Sequence, residues 1–518
     1  MKTSMLTLSA NNNQCIRKNL SKTEWFFFVA FMVLSFWGIS VHEIWLDEMH
    51  HWLLARDSNS LTELYQIARK DWHPLTWNVL LYIISRFSFD PFWMQILHIT
   101  ISAIVVYIFF SYSPFPLLYK ILFAFGYYIL YEYNVISRNY NLMVLFCFII
   151  CILYPRRTKS YLLLSLMLLG LANTHYLGTL ISASFVMVLA IDFFIESKNK
   201  SNVYVVILSL TIYITGLLST LAKVFASNDM KSEFDFQNLL QIKKIASGLL
   251  IVTKGLIPIA DFTQYSFWNS NWLISYNPTL ALLTSIVCIA AIAVILFDRW
   301  LIVLFFIVTF VNLILFSTAV GYNGYRYFGS VYIVFILSLW LSSYYDSVKI
   351  STGIGLFLTN LQTRIKIPVI YFILVAQCIA GISTFILDVN RPFSEAKYAV
   401  KYLEQNKLNS YAVAVDNLNT ATSISGYLER KVFFPILNGW VGYRLWNIPY
   451  KTEHSLFFSK LIENSEKLGK EVIIILHRKL NPSIPVHFTG QMQISEIIEF
   501  NKSIIGDENC FLYKVEFK

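Results

Sequence analysis

Residues 25–57 read WFFFVAFMVLSFWGISVHEIWLDEMHHWLLARD. The run Trp25 to Val41 carries no charge and approaches the roughly 20 apolar residues that a helix needs to cross hydrocarbon. Arg17, Lys18 and Lys22 precede it as in a secretory leader. His42, Glu43, Ile44 and Trp45 then stand where a leader would carry small residues for cleavage, so the run is expected to remain as a first span. Directly behind it Asp47 and Glu48 open a segment in which Trp45, Met49, Trp52 and Leu53 recur at helical spacing. That is the pattern of an amphipathic helix lying in the membrane interface.

The rest of the chain extends this reading. Its 518 residues are 56% hydrophobic and only 14% charged, with a mean hydropathy of +0.56, so lipid is the expected solvent. Apolar runs at 25–41, 92–111, 115–131, 139–154, 161–174, 178–195, 203–222, 277–297, 300–320, 328–345 and 367–387 predict about eleven spans. Leu75 to Phe87 is too short to cross, roughly 20 Å as a helix, and is expected on the outer surface. With it left out, the loops bearing Arg156, Arg157 and Lys159, then Lys198 and Lys200, then Arg299, then Lys349, Arg364 and Lys366 all fall in the cytoplasm. The net charge of +10 thus serves topology, and no nucleic-acid partner is expected. Cys15, Cys147, Cys151, Cys288, Cys378 and Cys510 are scattered, four of them inside apolar runs, which predicts neither a disulfide framework nor a metal cluster. The 31 Tyr and 13 Trp suit interfacial belts and also the lining of a carbohydrate site.

The expected organisation is a polytopic α-helical membrane protein with a small C-terminal α/β domain. Residues 1–24 form a cytoplasmic segment, 25–387 the membrane body with outer loops 42–91 and 223–276, and 388–518 the extracytoplasmic domain. In the last, Ala412 to Val415, Lys431 to Ile436, Val472 to His477, Ile494 to Glu499 and Phe511 to Phe517 read as strands, and Leu456 to Leu468 as an amphipathic helix. Nothing in this domain has the look of a catalytic motif; binding of an acceptor or partner, or stabilisation of the fold, is expected of it.

The chemistry gathers in the first outer loop. Successive helix positions lie about 100° apart, so Asp47 and Glu48 cannot face the same way. If one meets a reaction centre, the other is left for an acceptor, an ion or the scaffold. The pair, His73-Pro74-Leu75, the segment Ser137 to Tyr140 (SRNY), the segment Thr174 to Tyr176 (THY), and Arg326-Tyr327 with Tyr325 before it all fall on the outer side of this topology. In order and sidedness the set resembles the C-class (GT-C) glycosyltransferases, with the look of the protein O-mannosyltransferase and lipid A aminoarabinose transferase branch, family 39-like. Leu75 replaces the second proline usual after the histidine, a departure that bears on subfamily and donor.

The resemblance implies an inverting transfer of a sugar from a polyprenyl phosphate to a glycan, lipid or protein acceptor; the topology puts it on the outer side, at the periplasmic face of a bacterial inner membrane, which the compactness of the chain favours, or in an organelle lumen. The resemblance makes Asp47, with Glu48 beside it, the catalytic carboxylate that takes the acceptor proton. Arg138 and Arg326, then Arg56 and Lys70, are the candidate cations for the donor phosphate. His73, Tyr140, His175, Tyr176, Tyr325 and Tyr327 are the candidate substrate contacts. No cofactor is required. His42-Glu43 lacks the second histidine of an HExxH site, and a divalent cation shared by Asp47 and His51 remains the alternative. Structural alternatives stand beside these roles: a carboxylate pair favouring a helix start, arginines anchoring headgroups and histidines shaping turns. The rival function is a transporter or flippase of lipid-linked saccharide, which should carry ionisable groups near the midplane of its spans; a glycan polymerase or ligase is a third reading.

Overall fold

The structure is a computed structural model that describes residues 19–69, 73–197, 201–226, 234–321, 324–348, 353–445, 448–481, 484, 488 and 490–518. Cys15, Arg17, Lys18, Lys70, Lys198, Lys200, Lys231, Glu233 and Lys349 lie outside the described residues.

Helix α1 (Lys22–Val41) starts at a capping box in which Ser21 and Glu24 satisfy each other's backbone N–H groups. It leads into the short helices α2 (Leu46–Arg56), α3 (Leu61–Ala68) and α4 (Thr76–Ser85). The ten residues of α4 are indeed too few to span, and it packs on α2. Then follow α5 (Phe92–Tyr112), α6 (Leu117–Ala124), α7 (Tyr140–Leu153), α8 (Arg157–Ala172), α9 (Tyr176–Asp192) and α10 (Val203–Ala226). Next come α11 (Ile242–Leu256), α12 (Trp272–Tyr276), α13 (Pro278–Leu296), α14 (Trp300–Val320), α15 (Tyr325–Ser342) and α16 (Gly353–Asn390).

Among the described residues nine helical stretches are long and apolar enough to cross a membrane. One of them, Tyr140–Ala172, is α7 and α8 folded into a hairpin, as Asn139 Nδ2 shows by bonding Thr174 O at 2.6 Å. The run expected at 115–131 is interrupted: α6 stops at Ala124 and, past Gly126, the chain resumes as a π-helical turn, Tyr127–Glu132. Helix α16 crosses this break so closely that a Cβ on Gly381 would lie 2.7 Å from both Phe125 O and Tyr127 N, so only glycine fits there. With the hairpin taken as two and the broken segment included, the bundle holds the eleven apolar segments the sequence predicts. In the stretch expected as outer loop 223–276, helix α11 packs against α13, α14 and α15 through Gly248, Ile251, Val252 and Leu256.

Past α16 the chain forms α17 (Ala396–Gln405), β1 (Ala412–Val415), α18 (Leu418–Tyr427), β2 (Val432–Phe434) and β3 (Gly439–Val441). It ends with α19 (His454–Glu463), α20 (Ser465–Leu468), β4 (Glu471–Leu476), β5 (Met492–Phe500) and β6 (Cys510–Phe517). The strands make one sheet in the order β3-β2-β1-β4-β6-β5, with β1 parallel to β2 and β4 and the other pairings antiparallel. Both faces are covered, which is why β4 is apolar from Val472 to Leu476: Ile473 and Ile475 meet α17 and α18, while Val472, Ile474 and Leu476 meet Phe457, Phe458 and Leu461 of α19. Strand β3 and helices α17 and α18 were not expected from the sequence. The sheet domain sits on α2: Met49 reaches Gly426, where any Cβ would collide with its sulfur, and Ile44 N donates to Tyr427 Oη at 2.8 Å.

Candidate functional site

Helix α2 begins at the mouth of the bundle because Glu48 holds it there. Glu48 is fully buried. Its Oε2 accepts from Trp45 N (3.4 Å), closing the first turn of the helix, and faces His42 Nε2 (3.2 Å); its Oε1 accepts from Ser137 N (2.6 Å). His42 Nδ1 pairs in turn with Asp388 Oδ2 at 3.1 Å, and Tyr131 Oη donates to Asp388 Oδ1 at 3.1 Å. Burial works against the imidazolium, but the carboxylates of Asp388 and Glu48 on either side prevail and push His42 up to about 10. Glu48 and His42 together thus tie the ends of α1 and α16, the turn before α7 and the start of α2 into a single polar knot.

Asp47 points the other way, as the helical turn requires. Its Oδ2 meets Arg326 Nη2 at 2.8 Å and Arg138 Nη1 at 3.7 Å, and Arg138 Nη1 also donates to Asp47 O at 2.5 Å. Burial opposes the charge, yet Arg326, Arg138, His51 and Arg444 together draw the Asp47 carboxyl down to about 2. Three guanidinium groups therefore act on one carboxylate, and positive charge is in excess. Arg326 lies over the rings of Tyr327 (5.1 Å), Trp45 (5.6 Å) and Trp268 (5.8 Å), which fix its position without neutralising it. The Nε atoms of Arg326 and Arg138 are buried with no acceptor in the protein.

Beside this centre runs a row of rings. His51, whose Nδ1 meets Asn78 Oδ1 at 2.7 Å, lies 5.6 Å from His73, centroid to centroid, and His73 lies 5.2 Å from His175. His175 caps α9 through its Nδ1, which accepts from Leu177 N at 3.1 Å, and contacts Tyr176 (3.8 Å), Tyr140 (4.7 Å) and Tyr327 (6.0 Å). The structure therefore brings Asp47, Arg138, Arg326, His73, Tyr140, His175, Tyr176 and Tyr327 to one end of the bundle, from stretches far apart in the chain.

Two of the sequence candidates point elsewhere. Tyr325 turns into the core, where its hydroxyl accepts from Asn271 Nδ2 at 2.8 Å and its ring packs on Tyr127. Arg56 sits at the last turn of α2, bonded to Asp57 (2.7 Å) and nine positions from Asp47, on the order of 13 Å along the axis. Lys70 is outside the described residues. Among those described, no three His, Cys, Asp or Glu side chains are grouped so as to hold a metal ion.

Sequence reasoning missed four contributors. Arg444 comes from the sheet domain, beyond any motif. Glu508, also from that domain and fully buried, accepts from Leu46 N at 3.1 Å, the backbone N–H next to Asp47, while Ser423 (3.0 Å) and Ser394 (2.7 Å) donate to it; burial, its largest influence, pushes it up to about 7. His42 and Asp388 mark the ends of two expected spans, and only that placement hinted that they might meet.

Comparison with known proteins gives little to set beside this geometry. No protein-family model and no curated protein matches the chain. Among solved structures it is similar to the crystal structure of ArnT from Cupriavidus metallidurans bound to undecaprenyl phosphate, at 9% sequence identity and a TM-score of 0.46, covering 95% of this chain and 98% of that one.

Proposed function

We propose that this integral membrane protein is an inverting glycosyltransferase that takes a sugar from a polyprenyl phosphate and passes it to a hydroxyl acceptor at the outer face of the membrane, in bacteria the inner membrane. The observation that carries the reading is the convergence of Arg138 and Arg326 on the one carboxylate of Asp47, with two buried guanidinium Nε donors left over.

A phosphate bound to those donors places its sugar against Asp47. The acceptor oxygen attacks the anomeric carbon from the side opposite the phosphate, the carbon–oxygen bond to phosphate breaks with its electron pair passing to the phosphate oxygen, and the acceptor proton goes to Asp47. A carboxylate drawn down to about 2 remains adequate as acceptor, because the proton leaves an oxygen already bonded to carbon and far more acidic than a free hydroxyl. The guanidinium groups stabilise the charge growing on the leaving phosphate. Glu48 positions the helix, being held on both oxygens by His42, Ser137 N and Trp45 N. The reaction so written needs no cofactor.

The test is transfer of radiolabelled sugar from purified polyprenyl-phosphate donors to cell-envelope acceptors by the intact protein and by Asp47→Asn. Transfer that vanishes in the folded variant is the expected result. No transfer with any donor, together with movement of lipid-linked sugar across vesicles, would replace the reading with a flippase.

A further inference from the structure

Between the sheet domain and the helical body lies a cleft of about 330 Å³ whose walls include Trp45, Leu46, Trp268, Asn269, Asn419 and the turn 504–508. Its size stands at the lower end of the range for small-molecule sites, roughly 300–1,000 Å³, fit for one or two sugar rings and not for a folded partner. Its chemistry is mixed in the way sugars require. Two indoles, Trp45 and Trp268, stand in its wall as apolar surface, and Asn269, Asn419 and Asp507 bring amide and carboxylate groups that pair with hydroxyls. Asn419 Oδ1 and Trp45 Nε1 are buried polar atoms without a partner in the protein.

The same walls touch both halves of the Asp47–Arg326 pair. Glu508 accepts from Leu46 N (3.1 Å), one residue before Asp47. Asn269, held in the left-handed region at φ 66°, accepts with Oδ1 from Tyr325 N (2.8 Å), one residue before Arg326. Trp45 and Trp268 are also two of the rings that face the Arg326 guanidinium. A group seated in the cleft therefore lies against the elements that carry the carboxylate and the phosphate cation, on the side formed by the sheet domain.

We propose that this cleft is the acceptor site and that the acceptor enters it as a saccharide, its hydroxyls read by Asn269, Asn419 and Asp507. The inference rests on the glycosyl-transfer reading above, and it gives the sheet domain a share in substrate choice.

Gly506 lines the cleft, is exposed, and a Cβ built on it meets nothing within 4 Å, so Gly506→Cys introduces a reporter without strain. The experiment follows its alkylation by a maleimide in the full-length protein, with methyl glycosides of glucose, galactose, mannose and N-acetylglucosamine, a serine-rich peptide and inorganic phosphate as probes. Slowing of alkylation by at least one glycoside, about fivefold or more and lost again when Asn419→Ala and Asp507→Ala are added, is the expected result. Alkylated protein should show a higher acceptor KM, or no transfer, while its polyprenyl-phosphate Kd stays within twofold. Protection by the peptide and by no glycoside overturns the saccharide assignment, and equal alkylation rates with every probe overturn the site, in both cases with glycosyl transfer by the unmodified chain untouched. Protection by a glycoside in a chain that transfers no sugar upholds the site and refutes the transferase reading.

Discussion

Replacing Asp47 by Asn removes a charge and almost no volume, and it separates the two tasks assigned to the site. The side chains of Asp47 and Arg326 are 9% and 17% exposed, so the pair is screened little by solvent and its loss counts as that of a buried pair, about 3–5 kcal/mol. Arg326 keeps its three aromatic neighbours, which favours the lower end, about 3 kcal/mol. The variant should therefore melt earlier than the intact protein, yet bind inorganic phosphate and polyprenyl phosphate more tightly, because the anion no longer shares Arg326 with a carboxylate. Phosphate at a hundred times its Kd contributes about 2.7 kcal/mol and should restore most of the lost stability. Transfer should fall by a factor of about 10²–10⁴, the usual worth of a general base. Thermal denaturation in detergent with and without phosphate, alongside the radiolabel transfer assay, reads all three quantities. A variant that keeps a tenth of the transfer, or gains no more stability from phosphate than the intact protein does, would refute the reasoning.

Four further outcomes are expected. Glu48→Gln should lower stability and transfer together, because the His42 pair loses one of its two carboxylates, and phosphate should not rescue it; recovery with phosphate in the melting assay would contradict the scaffold role. His42, with its folded pKa raised to about 10 from 6.5, contributes stability that is fully present below pH 6.5 and lost as pH rises through 10, so transfer by the intact protein should fall on an alkaline limb that His42→Gln abolishes in a pH–rate profile. Glu508 is raised to about 7 from 4.5, so the folded state holds its proton longer than the unfolded one and stability declines as pH rises from 4.5 through 7; Glu508→Gln should flatten that decline in melting curves taken across the window. Arg138→Ala, which removes a guanidinium 3.7 Å from Asp47 Oδ2 and one of the two unpartnered Nε donors, should raise the donor KM by about tenfold and make it less sensitive to salt, read by steady-state kinetics across ionic strength.

The sequence disclosed what repeats with a period or clusters in a motif. Eleven apolar runs, the short α4 and five of the six strands followed from length and alternation, because lipid and a two-sided sheet each impose a pattern on consecutive residues. The divergence of Asp47 and Glu48 followed from helix geometry alone. Strand β3 escaped because Gly439–Val441 is three residues long with Trp440 exposed, too short for alternation to register. The π turn at Tyr127–Glu132 escaped because the apolar run continues through it as far as Tyr131, and the close packing of Gly381 from another helix at the break leaves no mark on the local sequence. Arg444 and Glu508 were illegible for the same reason: one acts on the Asp47 charge and the other bonds Leu46 N only through tertiary packing, and nothing in their neighbouring residues encodes the destination.

That illegibility bears on what the sheet domain is for. A domain that only stabilised the bundle would cover apolar surface, and α18 against Met49 does so. It would have no need to place a fully buried carboxylate on the N–H of Leu46, where helix α2 already has Glu48 satisfying its first turn. Burying Glu508 costs free energy, as its rise to about 7 shows, and three hydrogen bonds offset the cost only while α2, Ser423 and Ser394 hold their places. The start of α2 is thus fixed from two sides, by Glu48 and the membrane body below and by Glu508 and the sheet above. Asp47 sits between the two clamps, so its distance from Arg326 is set by how the sheet domain rests on the bundle. Anything that shifts the sheet, a group in the adjoining cleft included, moves the Asp47 carboxylate relative to Arg326 and Arg138, and the domain without a catalytic motif becomes the part that aligns the residue proposed as the base.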